Sequence, residues 1–179
     1  MGLTGLDDNL IVRMGAGDAS AFSELYEKTS DLVFGYALSI VRNEADAEDV
    51  MHDAYIKAYQ SAVSYQPLGK PVAWILTIVR NLAFNKVRQR KPTIDVNEHD
   101  DVVDGVVKVS DPVDRMVLEA AMDVLDPEER QIVILHALVE LKHREIAQLL
   151  EVPLGTVLSK YHRALRKLRR EIEEKGETA

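Results

Sequence analysis

Residues 145–157, EIAQLLEVPLGTV, carry the clearest fold signal in the C-terminal part of this chain. This stretch has the layout of a short helix, a turn and, after Gly155, the start of a second helix. Small Ala147 lets two helices approach closely. The apolar residues that fix the crossing of the two helices are Ile146, Leu150 and Val157. The stretch therefore predicts a helix-turn-helix, whose second helix enters the major groove of DNA.

The second helix of this motif carries the side chains that we expect to contact DNA. A hydroxyl or a cation on its exposed side can reach base edges or phosphates. Because lysine cannot form the bidentate fork of arginine, Lys160 is expected on a phosphate. A helical hairpin with a basic rim is the alternative for the motif alone. The candidate DNA-contacting residues are Thr156, Ser159, Lys160, His162, Arg163 and Arg166.

Helical patterns also cover most of the chain outside this motif. Residues 126–129, Asp-Pro-Glu-Glu, are a strong helix start. A third amphipathic helix of the N-terminal part starts near Pro71 and should end before Pro92. The apolar faces that we predict are Ala47, Val50, Met51, Ala54 and Ala58; Phe22, Leu25, Leu32, Val33, Tyr36 and Ile40; and Val157, Tyr161, Leu165, Leu168 and Ile172.

These patterns predict an all-α fold with two small helical domains. We place the first domain at residues 1–92 and the second, which contains the helix-turn-helix, at residues 113–179. Residues 93–112 lack a helical period and are predicted to be a flexible acidic linker, with a turn at Asp104-Gly105. About 20 residues of extended chain reach roughly 65 to 70 Å.

The charge of the chain is unevenly distributed. The net charge is −8, but residues 93–114 contain Lys108 and seven acids. Two acid-free basic runs lie on either side of this stretch: residues 80–91 hold five basic residues, and residues 160–170 hold six. Since local charge governs the binding of phosphates, two such runs favour nucleic acid as a partner, although one run alone is more simply a solvated helix face.

Composition excludes several classes of function. The chain has no cysteine, which excludes disulfides, thiolate metal sites and thiol nucleophiles. Its apolar runs are far shorter than the roughly 18 to 20 residues of a membrane span, and its first residues do not form a secretory signal. We therefore expect a cytoplasmic protein without direct membrane contact, and we assign no cofactor, no metal and no catalytic residue.

The motifs, taken in order, resemble the extracytoplasmic-function sigma factors of the sigma-70 family. REIAQLLEVPLGTVLSKYHRALRKLR, preceded by LDPEERQIVIL, is similar to their promoter-binding C-terminal domain. In the N-terminal half, GDASAFSELY, RNEADAEDVMHDAYIKAY and PVAWILTIVRNLAFNKVRQRK are similar to their core-binding and promoter-melting helices. The resemblance covers nearly the whole chain. Leu158, Lys160, His52 and Glu151 depart from the residues usual in the family.

The resemblance implies a subunit that binds RNA polymerase core and promoter DNA, without chemistry of its own. Its second domain, which contains the helix-turn-helix, would read the upstream (−35) element, and an anti-sigma factor is expected as a regulator. The implied polymerase-binding residues are Asp46, Glu48, Asp49, His52 and Asp53. The implied residues for the downstream (−10) element are Tyr55, Tyr59, Tyr65, Arg80, Asn81, Lys86, Arg88 and Arg90, in which the tyrosines are candidates to stack on an unpaired base. Trp74 is expected to be mainly a core residue.

Two rival functions remain at this point. His52-Asp53 and His99-Asp100-Asp101 are compatible with a metal-dependent phosphohydrolase, because such enzymes bind metal through histidine and carboxylates. The helix-turn-helix is also compatible with a regulator that binds duplex DNA unaided. Such a regulator would need no polymerase to find its operator, whereas a sigma factor would.

Overall fold

The structure, a computed structural model, describes residues 6–90 and 124–176. The chain divides into two compact units, Met1–Lys108 and Val109–Ala179. All regular secondary structure in the described residues is helical, which confirms the all-α prediction. The predicted linker at 93–112 and its turn lie outside the described residues. Among the residues described, no helix has the length and apolarity needed to cross a membrane.

The first unit is a bundle of helices: α1 (Asp8–Gly15), α2 (Ala19–Val41), α3 (Glu44–Ser61) and α4 (Pro71–Gln89). Helices α2, α3 and α4 pack against one another. A turn of 3₁₀ helix at Ala62–Ser64 follows α3. As predicted, the basic run forms the end of α4, which stops before Pro92.

Polar caps fix the corner between α1 and α2. Asp18 is the N-cap of α2 and accepts a hydrogen bond of 2.9 Å from the backbone N–H of Ser20. Arg13, in the last turn of α1, donates from Nη2 to the same carboxylate at 2.7 Å. The hydrogen bond from the Ser20 hydroxyl, followed by that from Arg13, lowers the pKa of Asp18 to about 2. The two helices are therefore joined by a side chain as well as by the loop.

The core of the first unit follows the predicted stripes. Ala47, Val50 and Ala54 are buried on α3, while Leu25 and Val33 are buried on α2. Small residues also set how closely elements approach. A Cβ atom built on Gly15 would lie 2.6 Å from the backbone oxygen of Ala62, so only glycine fits where α1 meets the 3₁₀ turn.

The second unit contains the helix-turn-helix. Its helices are α5 (Pro127–Ala137), α6 (His143–Leu150) and α7 (Leu154–Gly176). A capping box starts α5, since Asp126 accepts from the backbone N–H of Glu129 at 2.8 Å and Glu129 accepts from that of Asp126 at 3.3 Å. The strong helix start predicted at residues 126–129 is thus confirmed.

The prediction that Leu165 is a core residue of α7 is wrong. Leu165 is 42% exposed, and its neighbour Ala164 is fully buried instead. Ala164 packs in a cluster with Leu125, Val133 and Leu168, against which Tyr161 also lies. Neighbouring residues on a helix differ by about 100° in direction, so an error of one position moves a side chain from the core to the surface.

Candidate promoter and polymerase interfaces

The turn of the helix-turn-helix is closed by backbone hydrogen bonds. The backbone N–H of Val152 donates to the backbone oxygen of Ala147 at 3.0 Å, and the backbone N–H of Glu151 donates to the backbone oxygen of Gln148 at 3.3 Å. This pair of hydrogen bonds is the Schellman arrangement of a helix end. Glu151 has a φ of 58°, in the left-handed region that favours glycine. The unusual residue at this position therefore adopts the conformation that glycine would take, at a cost in backbone strain.

Buried apolar residues fix the crossing of α6 and α7, as predicted. Ile146 and Val157 are fully buried, and Ala147 and Leu150 are nearly so. The predicted DNA-contacting side chains of α7 fall into two groups. Thr156 and Lys160 are half-buried, while the other four members of the set are exposed. The exposed members are Ser159, His162, Arg163 and Arg166.

Three of the α7 cations are ion-paired with acids of α5, two of them closely and the third, Arg163, at 3.7 Å from Glu129. Lys160 Nζ lies 2.6 Å from Oε2 of Glu128, and this hydrogen bond raises the pKa of Lys160. Lys167 Nζ donates to Oε2 of Glu129, also at 2.6 Å. Lys160 is thus neutralised within the unit, so a phosphate would have to compete with Glu128 for it.

In the first unit, the predicted polymerase-binding residues lie along one exposed side of α3. Glu48, Asp49, His52 and Asp53 are exposed, while Asp46 is half-buried. Their spacing on the helix brings them onto neighbouring turns, as expected for an acidic surface. The structure therefore places all five on one helix, in reach of a single basic partner.

The last turn of α4 packs its cations against this acidic surface. Lys86 Nζ donates to Asp49 at 2.8 Å and lies 3.4 Å from Asp46. Arg90 is also paired with Asp46, and that hydrogen bond lowers the pKa of Asp46. Two residues predicted for DNA are thus ion-paired to two residues predicted for polymerase. The remaining predicted residues of this part of α4, Asn81 and Arg88, are exposed.

The three candidate tyrosines have different environments. Tyr55 is only 3% exposed and its hydroxyl lies 2.7 Å from that of Thr29, so the structure does not present it for stacking on a base. Tyr59 is 48% exposed and packs edge-on against Phe22 at 5.7 Å between ring centroids. Tyr59 therefore keeps a ring surface that a base can reach.

Tyr65 belongs to the loop that leads into α4. Its hydroxyl donates to the carboxylate of Asp8 at the start of α1, which also accepts from the backbone N–H of Gly69 at 2.5 Å. The ring of Tyr65 packs on Trp74 at 5.0 Å between centroids. Trp74 is half-buried, so it supports this loop instead of lying in the bundle core. Asp8 is a contact that the sequence alone did not indicate.

Arg80 differs from the other cations of α4. Its Cζ atom lies 5.1 Å from the centroid of the Phe84 ring, and its Nε is buried without a hydrogen-bond partner among the described residues. Since a cation over an aromatic face is held by the ring quadrupole, Arg80 is partly committed to packing.

Comparison with known proteins agrees with this arrangement. The family profile Sigma-70 region 2 matches residues 25–93, and Sigma-70, region 4 matches residues 115–168. The chain is 26% identical over 178 residues to the ECF RNA polymerase sigma factor SigW of Bacillus subtilis, which covers 92% of this chain and 95% of SigW. It is 33% identical over 165 residues to the ECF RNA polymerase sigma factor SigE of Mycolicibacterium smegmatis, which covers 86% of this chain and 63% of SigE.

The chain belongs to the extracytoplasmic-function sigma factors of the sigma-70 family. The resemblance stated from the sequence is therefore confirmed. The region 2 profile spans α3 and α4, and the region 4 profile spans the helix-turn-helix. Both candidate interfaces of this sigma factor thus lie inside matched regions.

Two solved structures share the fold of this sigma factor. The structure of CnrH in complex with the cytosolic domain of CnrY has a TM-score of 0.69 at 21% identity, over 94% of this chain and 97% of that chain. The sigma factor RpoE of Bartonella quintana, in complex with the anti-sigma factor NepR, has a TM-score of 0.65 at 20% identity, over 85% and 96%. At these identities the likeness concerns the fold.

The described parts of this sigma factor do not bring together a metal site. Within residues 6–90 and 124–176, no group of three or more histidine and carboxylate side chains is arranged to hold a metal ion. His52 and Asp53 are neighbours on α3, and the second motif considered, residues 99–101, lies outside the described parts.

Proposed function

We propose that this sigma factor binds RNA polymerase core and directs it to promoters through two DNA-contacting units. The unit within residues 1–92 would contact core polymerase and the downstream element, and the unit within residues 113–179 would read the upstream element. The acidic segment between them would span the distance. The protein would act as a transcription initiation factor without a catalytic site, and in the cytoplasm because that is where bacterial polymerase works.

The observation that carries this proposal is the exposed face of α7. Ser159, His162, Arg163 and Arg166 are all exposed on one helix, which a closed turn holds across α6. This is the geometry in which a recognition helix enters the major groove while its partner crosses the backbone. Arginine there is suited to guanine, because its fork matches the O6 and N7 acceptors.

The polymerase contact is supported by the acidic side of α3. Glu48, Asp49 and Asp53 are exposed carboxylates on consecutive turns, and their complement is a basic surface. An acidic face on a partner subunit gives orientation and fast association more than affinity. We assign this side of α3 to core polymerase, with Asp46 and His52 at its edges.

Regulation by an anti-sigma factor is part of the proposal. One structural neighbour, RpoE of Bartonella quintana, is a sigma factor solved in complex with an anti-sigma factor, and this chain has the same fold. A partner that masks α3 or α7 would prevent polymerase or promoter binding, respectively.

The experiment that tests the proposal is transcription in vitro with purified core polymerase on fragments of the source genome. Core alone should give background transcripts, and added sigma factor should give discrete start sites preceded by two shared sequence elements. The absence of new start sites at saturating sigma factor would contradict the proposal.

A further inference from the structure

Glu129 is a buried carboxylate whose role extends beyond capping α5. Its side chain is 0% exposed, although it lies only three residues after the helix N-cap. Oε2 accepts from Lys167 Nζ at 2.6 Å and from the backbone N–H of Asp126 at 3.3 Å. One of its two oxygens is therefore well satisfied by a cap and by a cation of α7.

The other oxygen of Glu129 lacks a hydrogen bond. Oε1 is buried and has no hydrogen-bond partner among the described residues. The cation near it is Arg163, whose Nε lies at 3.7 Å, which is an ion-pair distance but well beyond the length of a charge-assisted hydrogen bond. Because a buried carboxylate oxygen without a donor is unfavourable, a shift of the Arg163 guanidinium toward Oε1 would be favourable.

Arg163 stands between this buried charge and the surface. Its side chain is 52% exposed, and it lies on the face of α7 that is assigned to DNA. The approach to Glu129 is made through Nε, and a guanidinium has two further nitrogens that can form the fork on a guanine. The buried carboxylate can thus fix the plane of the guanidinium without occupying all of its donors.

We propose that Glu129 is a positioning residue that orients Arg163 for base readout in the upstream promoter element. The inference rests on the proposed function, since it takes α7 to be the recognition helix. If the Arg163 guanidinium is oriented before it meets DNA, it loses less conformational entropy on binding. Binding to the base that fits this orientation is then favoured over binding to other bases. Glu129 contacts no DNA itself and acts through Arg163.

The test is transcription by the holoenzyme, made from the full sigma factor and core polymerase, on a promoter pool randomised at the upstream element. Sequencing of the transcribed templates gives the base preference at each position. Arg163→Ala first identifies the position that Arg163 reads. Glu129→Gln should then reduce the preference at that same position by about tenfold and leave other positions unchanged. Glutamine keeps the length of the side chain and its capping role.

Two matched variants separate positioning from general support of α7. Glu128→Gln removes the neighbouring carboxylate, which pairs with Lys160, and should leave the preference at the Arg163 position as it is. Lys167→Gln removes the other ion pair of Glu129. An equal loss of preference in Lys167→Gln would overturn the proposal, because it would mean that α7 is anchored as a whole.

If Glu129→Gln does not fold, the double variant Glu129→Met, Lys167→Met takes its place. It removes the buried pair together, which cores tolerate better than the loss of one partner. In the Arg163→Ala background, Glu129→Gln should have no further effect on preference. The inference would be refuted if Arg163→Ala changed the base preference at its position and neither Glu129 variant did. A pool in which Arg163→Ala changes nothing would instead refute the assignment of Arg163 to DNA.

Discussion

Lys86 Nζ on α4 lies 2.8 Å from a carboxylate oxygen of Asp49 on α3. The two residues belong to different proposed interfaces, one for promoter DNA and one for polymerase. Together with Asp46 and Arg90 they form an ion-paired group across the two helices. The basic run at the end of α4 therefore presents less free positive charge than its sequence suggests. Exposed pairs of this kind contribute little to stability, so promoter DNA and polymerase can each compete for their side chains.

The pairing predicts how the salt dependence of DNA binding responds to Asp49. Asp49→Asn should free Lys86 for phosphate, since its other acidic neighbour, Asp46, is farther away at 3.4 Å. The slope of log K against log salt for a single-stranded oligonucleotide should become steeper by up to about 0.7. Fluorescence anisotropy over a salt series measures this slope. Glu27→Gln, on an exposed position of α2, is the control, and equal slopes in both variants would contradict the prediction.

Reversal of charge on α3 should weaken polymerase binding. We expect Asp49→Lys combined with Asp53→Lys to reduce the affinity for purified core at least tenfold, because it places two cations against a basic surface. Both residues are exposed, so circular dichroism should show an unchanged helical fold. Glu27→Lys tests whether any reversed surface charge has this effect. Unchanged affinity of the double variant for core would remove α3 from the interface.

The histidines of the second unit predict a loss of stability in mild acid. His136 and His143 stack at 4.3 Å between ring centroids. Burial, and then the charges of His136 and His162, lower the pKa of His143. The unfolded chain therefore binds protons more readily than the fold, and stability falls as the pH drops below about 6.5. The stability that comes from keeping His143 neutral is fully present above that pH.

Hydrogen exchange of the amides of α6 checks this dependence. Between about pH 7.5 and pH 5.5, protection corrected for the intrinsic exchange rate should decrease in the native chain. His143→Phe, which keeps a ring next to Tyr161, should remove most of the decrease. Amides of α2 in the first unit provide an internal reference. A decrease of the same size in His143→Phe would show that another group titrates.

Substitution of alanine for two glycines of the first unit should change the stability of that unit in opposite directions. Gly15→Ala should destabilise the unit by about 1 to 3 kcal/mol, because the new Cβ meets the Ala62 oxygen at 2.6 Å. Gly35→Ala, inside α2 with nothing within 4 Å of the new Cβ, should stabilise it by about 0.4 to 1 kcal/mol. Urea unfolding followed by the fluorescence of Trp74, the single tryptophan, measures both. A stabilising Gly15→Ala would contradict the close approach.

The features that could be predicted from the sequence are the local ones. The capping box at Asp126 and Glu129, the turn before α7 and the buried stripe of α3 depend on residues three or four positions apart. Such spacings are visible in one sequence. The assignment of the basic and acidic helices depended in addition on the family resemblance, because charge runs alone do not distinguish an interface from a solvated face.

The features that could not be predicted depend on residues distant in the chain. Tyr55 is buried because it packs and bonds with Thr29, which is 26 positions away. Asp46 meets Arg90 across 44 positions, and Glu129 meets Lys167 across 38. No periodic pattern encodes these pairs, since they follow from how the helices pack. They decide which predicted side chains are free to bind and which are already engaged.

A sigma factor binds its promoter only together with core polymerase, and this dependence can be measured. A promoter fragment identified by transcription in vitro is labelled, and its binding is measured by gel shift with the sigma factor alone, with core alone and with both. We expect a sequence-specific complex only when both are present, with permanganate-reactive thymines at the downstream element. Specific binding of equal affinity by the chain alone would contradict it and would identify a regulator that acts on duplex DNA.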